Sequence, residues 1–175
     1  VVGAMNHAFR WTVAGGMEDL GAIDGGPQAV ATAANYDGSV IVGSGDLPVA
    51  NVRAFRWTSA SGMQGIETLP GVLGSYAYGV SGDGSVIVGS TSGGYSSSHA
   101  FRATYGGSVE DLGSLGGPSA YANDVSADGS VVVGVSDRAF RWTASEGMQN
   151  LGSLSFDGQS QAYAVSGDGS VVVLS

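Results

Sequence analysis

The 175-residue chain carries a formal charge of −9, from 15 acidic residues against six arginines and no lysine, so its surface should repel phosphate backbones and nucleic acid is not an expected partner. With 31 glycines, 43% hydrophobic and 12% charged residues, it should form short apolar strands joined by tight turns, not long helices or disorder. The absence of cysteine excludes disulfides and thiolate sites, and no run of about 18 apolar residues is present to insert in a bilayer.

In chain order, "VVG" at 1–3 matches later β-branched runs, and "HAFRWT" at 7–12 is an aromatic strand followed by "GMEDLG" with Leu20. Alternating Ala31 and Ala33 lead to Asp37–Gly38, a hairpin signal, and on to "SVIVG" at 39–43. A ten-residue link then reaches "RAFRWT" at 53–58, and "GIETLP" supplies Leu69 in the place of Leu20. The order recurs with Ala77 and Gly79, the Asp83 turn, "SVIVG", a second ten-residue link, "HAFRAT" at 99–104 and Leu112. It recurs again with Ala122 and Asp124, the Asp128 turn, "SVVVG", a four-residue link, "RAFRWT" at 138–143 and Leu151. Ala162, Ala164, the Asp168 turn and "SVVVL" follow.

The "AFR" starts lie 46, 46 and 39 residues apart, which leaves a period of about 40 once the longer links are discounted. Four antiparallel strands in such a unit make one β-propeller blade, whereas a β-helix repeats on a shorter period. The expectation is an all-β propeller of about 40 to 46-residue blades with four blade equivalents, in one repeat domain over 1–175. The units are 1–28, 29–74, 75–119 and 120–160, and 161–175 supplies the first two strands of a further or closing blade. Either "AYAVSGDGSVVV" pairs with the first "HAFRWT" and closes a four-bladed ring, or the chain is an arc of a larger propeller. The lack of an initiator methionine and leader fits a mature product or a piece of something longer.

Within the blades, the small residues Ala31, Ala33, Ala77, Gly79, Ala122, Ala162 and Ala164 are expected on one face of the first strand, nearest the axis. Val80, Val125 and Val165, with Ala34, are expected to pack between blades. The phenylalanine and tryptophan of "AFRW" should pack there too. Arg10, Arg56, Arg102 and Arg141 share one repeat position; the turn aspartates, or Asp19 and Asp111, are their expected partners.

The unit "YAxxVSADGSVVVGxSxxRAFRWTxxxGMQNLGSL" resembles the HAF repeat, found in bacterial secreted and surface proteins, autotransporter passengers among them. The resemblance covers essentially the whole chain and implies an extracellular or cell-surface location and a repeat architecture, with no assigned catalytic residue. Ala103 in place of tryptophan, "LPGVLG" in the second unit and Leu174 in place of glycine depart from the pattern.

Function is expected where the repeats differ. The two long links, "SGDLPVANVR" and "STSGGYSSSH", should project from one face, with Asp46, Asn51, Tyr95 and His99 as ligand-binding candidates. Asp124 is a further candidate, lining a channel or bridging to an arginine. "GDGS" supplies too few oxygen ligands for calcium, and His7 and His99 lack converging partners for zinc, so no metal or cofactor is expected. No phosphate loop or "GxSxG" elbow is present. The function expected is a non-enzymatic interaction module binding a protein or a glycan. The alternatives are a propeller-type glycan hydrolase, for which the acids Asp124, Glu67 and Asp157 are too scattered to nominate a pair, and a purely structural repeat segment.

Overall fold

The structure, a computed structural model, describes residues 6–48, 51–93, 97–154, 156 and 158–175. All regular structure among them is antiparallel strand, apart from a single 3-10 turn at Ile23–Gly25. Among the described residues no helix is long and apolar enough to cross a membrane. β1 (Ala8–Thr12) and β2 (Gly16–Gly21) form a first hairpin. Three four-stranded meanders follow. The first sheet holds β3 (Ala29–Ala34), β4 (Ile41–Asp46), β5 (Val52–Thr58) and β6 (Gly62–Gly65). The second holds β7 (Val72–Val80), β8 (Val86–Gly93), β9 (Ser98–Thr104) and β10 (Val109–Asp111). The third holds β11 (Tyr121–Val125), β12 (Val132–Ser136), β13 (Arg138–Thr143) and β14 (Gly147–Asn150). A last hairpin pairs β15 (Ala162–Val165) with β16 (Val172–Leu174). The last hairpin does not join β1 in a sheet, so the closing strap is not formed.

The sheets stack face to face, and the aromatic strand supplies the filling. Phe55, Phe101 and Phe140 are fully buried, each opposite the glycine of the neighbouring strand: Gly43, Gly89 and Gly134. Trp57 packs with Leu20 and Ile23 against the first hairpin, and Trp142 packs with Leu112 and Val86 against the second sheet. Val80, Val125 and Val165 also pack between sheets, as expected, while Ala34 is exposed.

Two local expectations are corrected. The first strand does not keep one small face, because a bulge interrupts it between Ala31 and Ala33, Ala77 and Gly79, Ala122 and Asp124, and Ala162 and Ala164. An extra residue in one strand reverses the alternation beyond it. Ala31 therefore packs toward the first hairpin and Ala33 toward the second sheet. The bulged Thr32 donates from its hydroxyl to the Ala77 carbonyl of the next sheet at 2.8 Å, and Asn123 donates to that of Ala162 at 2.7 Å. The counterpart of Leu20 in the second unit is Ile66, not Leu69. Ile66 donates to the Ala54 carbonyl at 2.8 Å, as Leu112 does to Ala100 and Leu151 to Ala139.

The "SxDGS" turns are organised by their serines. Ser126, fully buried, donates to Asp128 at 2.6 Å and accepts from the Val131 amide at 3.0 Å. Ser81 and Ser166 repeat this arrangement, and in the first turn Asn35 Oδ1 accepts from the Val40 amide. The turns are also tied to one another, since Gly82 donates to the Ala127 carbonyl and Ala127 to that of Gly167, each at 2.9 Å. The turn glycine has two requirements: Gly129 has φ +73°, and a Cβ there would sit 2.5 Å from Val86 Cγ2 of the preceding sheet. Ser126→Ala strands the Val131 amide and is expected to cost about 1–3 kcal/mol in denaturant unfolding.

Serine hydroxyls, then backbone amides, hold the Asp83, Asp128 and Asp168 carboxyls down to about 2 from 3.8. A folded-state value below the unfolded one gives stability that is complete above pH 3.8 and lost as the pH falls toward about 2. Melting temperature measured across that window should fall less steeply in the Asp83→Asn, Asp128→Asn, Asp168→Asn triple variant.

Candidate functional site

The arginine and tryptophan of the aromatic strand form a ladder across the stack. The Arg10 guanidinium lies over the Trp57 ring of the next sheet, 4.6 Å from its centroid, and Arg102 lies 6.0 Å from that of Trp142. Between these rungs the ladder is broken at Ala103. In register, Ala103 stands opposite Ile87 and Val109, as Trp57 stands opposite Ile41 and Met63 and Trp142 opposite Val132 and Met148. Arg56 lies instead over Tyr105, at 4.0 Å, a residue two positions beyond the missing indole. What is left is a cleft of about 320 Å³ between the first and second sheets. Ile66, Ile87, Ala103 and Val109 line it with apolar surface, Arg56 and Tyr105 add a cation and a ring, and exposed Glu67 and Gln64 also border it.

Arg56 is also the arginine of the ladder whose charge is least satisfied. Its Nε is buried without a hydrogen-bond partner, and among the described residues no carboxylate lies within 4 Å of its guanidinium. The other three are engaged: Arg10 with Glu18 at 2.6 Å, Arg141 with Glu146 at 3.1 Å, and Arg102 through Nε with the Gly129 carbonyl at 3.3 Å. The expected pairing with turn aspartates or with Asp19 and Asp111 is thus corrected. Serines occupy the turn carboxylates, and histidines the other two. His7 Nδ1 lies 2.8 Å from Asp19 and His99 Nδ1 2.8 Å from Asp111. The His7 hydrogen bond, with help from the Gly21 amide, lowers the Asp19 carboxyl below its usual range. Where arginine replaces histidine, at Arg53 and Arg138, the acid's place holds Gly65 or Asn150. A Cβ at Gly65 would lie 2.7 Å from the Arg53 Cδ, so the glycine leaves room for that stem.

The residues expected to bind ligand do not converge. Asp46 ends β4, donates its amide to the Gln28 carbonyl, and shares a shallow depression with Asn51, Pro27 and Pro48. Asn51 accepts the Leu47 amide on its backbone carbonyl at 2.7 Å. His99 is on β9 of the next sheet, held by Asp111. Asp124 neither bridges to an arginine nor stands free: it accepts the Val165 amide of the last hairpin at 2.9 Å. Tyr95 and Asp157 lie outside the described residues. Among the described residues no group of three or more acids and histidines could hold a metal ion. The cleft residues Arg56 and Tyr105 were not singled out as ligand-binding by the sequence, although Ala103, the departure that creates the cleft, was visible in it.

No family model matches the chain, and no curated protein matches it. Solved structures do. TolB from Acinetobacter baumannii superposes with a TM-score of 0.55 at 18% identity, over 86% of this chain and 40% of that one. A protein assigned as TolB from Agrobacterium tumefaciens superposes with a TM-score of 0.56 at 16% identity, over 90% of this chain and 68% of that one. The chain thus spans less than half the length of the first of these. At such identities the likeness concerns the fold: stacked four-stranded antiparallel sheets of the β-propeller class.

Proposed function

We propose that this chain is a non-enzymatic interaction module, built of four blade equivalents in an open arc of a propeller, that binds a protein or glycan in the cleft at Ala103. The first and last hairpins supply complementary halves of a blade beside the three complete sheets. The observation that carries the reading is the coincidence, at one point of a regular ladder, of a missing indole, a 320 Å³ cleft and an arginine with a buried, unsatisfied Nε. Buried donors are normally hydrogen-bonded, and concave apolar surface with one polar anchor is the usual form of a recognition site. Working outside the cytoplasm, secreted or at the bacterial surface, is part of the same proposal and is supported by the resemblance to the HAF repeat.

The test compares wild type with Ala103→Trp on a glycan array and a peptide array, beside a turnover screen on polymeric sugars. Binding by wild type, its loss in Ala103→Trp and no turnover is the expected pattern. Binding kept in Ala103→Trp but lost when both long links are shortened would move the site to the Asp46 and Asn51 face. Turnover abolished by Asp124→Asn would make the chain an enzyme.

A further inference from the structure

We infer that the cleft between the first and second sheets takes an aromatic carboxylate, such as the C-terminal aromatic residue of a peptide, with its ring in the slot of the missing tryptophan and its carboxylate on Arg56. This rests on the reading of that cleft as the binding place and adds the ligand class.

The repeat itself shows what the slot accepts. The equivalent positions of the first and third sheets are each filled by an indole beneath an arginine of the preceding strand pair. At Ala103 the strand register and the apolar floor of Ile66 and Ile87 are kept, and only the ring is gone. Tyr105 does not replace it, since that side chain is 59% exposed and caps Arg56 from outside, whereas Trp57 and Trp142 are 5% exposed. A ring entering the cleft would meet the half-buried Ile66 and Val109, and would reach the buried Ile87 and Ala103 by displacing the side chains that now cover them.

The charge selects the rest of the ligand. With Tyr105 beside the Arg56 Cζ and its Nε buried, the terminal N–H donors are left for an acceptor, and a carboxylate matches that pair. Glu18 and Glu146 supply such an acceptor to Arg10 and Arg141; nothing among the described residues supplies one to Arg56. A neutral sugar would leave the cation unpaired. A polyanion would meet Glu67 beside the cleft and a chain of charge −9, so one carboxylate joined to an aromatic group fits best.

The test is methyl NMR of the full chain, following Ile66, Ile87 and Ala103, titrated with N-acetyl-tryptophan, its neutral amide, free tryptophan, acetate and cellobiose. N-acetyl-tryptophan or free tryptophan should shift these methyls saturably, the tighter of the two assigning a peptide end or a free amino acid as the source. The neutral amide should bind at least about ten-fold more weakly, and acetate not detectably. Arg56→Gln should reduce the acid to the level of the amide. Ala103→Trp should abolish binding, with Ala103→Leu as a smaller filling should the indole variant fail to fold. Equal binding of acid and amide, or binding of acetate as tight as that of the acid, would overturn the ligand class. Shifts by cellobiose alone would also overturn it while leaving the cleft a binding place; no shift by any probe would overturn both.

Discussion

Trp142→Ala is expected to lower the unfolding free energy by about 3–5 kcal/mol, whereas Trp11→Ala should cost less than about 1 kcal/mol. The two occupy the same repeat position, so strand propensity and local sequence are nearly matched. What differs is the layer each ring faces. Trp142 is 5% exposed in the layer containing Val86, Leu112 and Phe140, with Arg102 of the preceding sheet over it. Trp11 is 64% exposed. Removing the first indole opens a cavity between two sheets, and removing the second takes a ring from water. Guanidinium unfolding of both variants measures the difference, and similar losses would mean that packing between sheets is not what the aromatic strand supplies.

Gly134→Ala should destabilise by more than about 3 kcal/mol, although alanine is a better strand residue than glycine. The conformation of Gly134 is not the reason, since its φ is not positive. A Cβ there would lie 1.9 Å from the Tyr121 carbonyl oxygen of the adjacent strand, and at Gly89 it would lie 1.9 Å from that of Tyr76. Backbone on that scale cannot step aside without breaking the pairing beside the bulge. By contrast Gly106, with φ +75° and open space where a Cβ would go, should lose only about 1 kcal/mol on change to alanine. Leu174 occupies the equivalent position of the last hairpin. It pairs with Ala162 at the same register, but in a two-stranded hairpin with no third strand and no phenylalanine opposite. A melting temperature for Gly134→Ala within a few degrees of wild type would contradict this account.

The strand order was legible because the features that mark it are local. Asp-Gly turns, β-branched runs and the "AFR" strand each need only their own few residues, and all recur. The bulge was not legible, because Thr32, Asn123 and their equivalents look like ordinary members of an alternating strand until its partner shows two residues opposite one. Ile66 was missed in favour of Leu69 for a similar reason: counting by resemblance of side chains gives one register and hydrogen bonding of β6 to β5 gives another. The arginine partners were misjudged because nearness in the repeat is not nearness in space. Arg10, Arg56 and Arg102 extend toward the following sheet, while the turn carboxylates are taken by serines two residues away. The cleft was half legible. The missing tryptophan at Ala103 stands out in the sequence, but the residue it leaves without a ring, Arg56, is on the previous sheet, an offset that only the stack reveals.

The most direct test of the ladder, and of the cleft as its vacant rung, is a double-mutant cycle on Arg56 and position 103, with Arg56→Met, Ala103→Trp and both together measured by denaturant unfolding. If Ala103 occupies the slot that Trp57 and Trp142 fill elsewhere, the introduced indole will be stabilised by Arg56, with a coupling of about 0.5–2 kcal/mol. Additive effects of the two changes would mean that Arg56 does not face that slot, and would remove the basis for a ligand there.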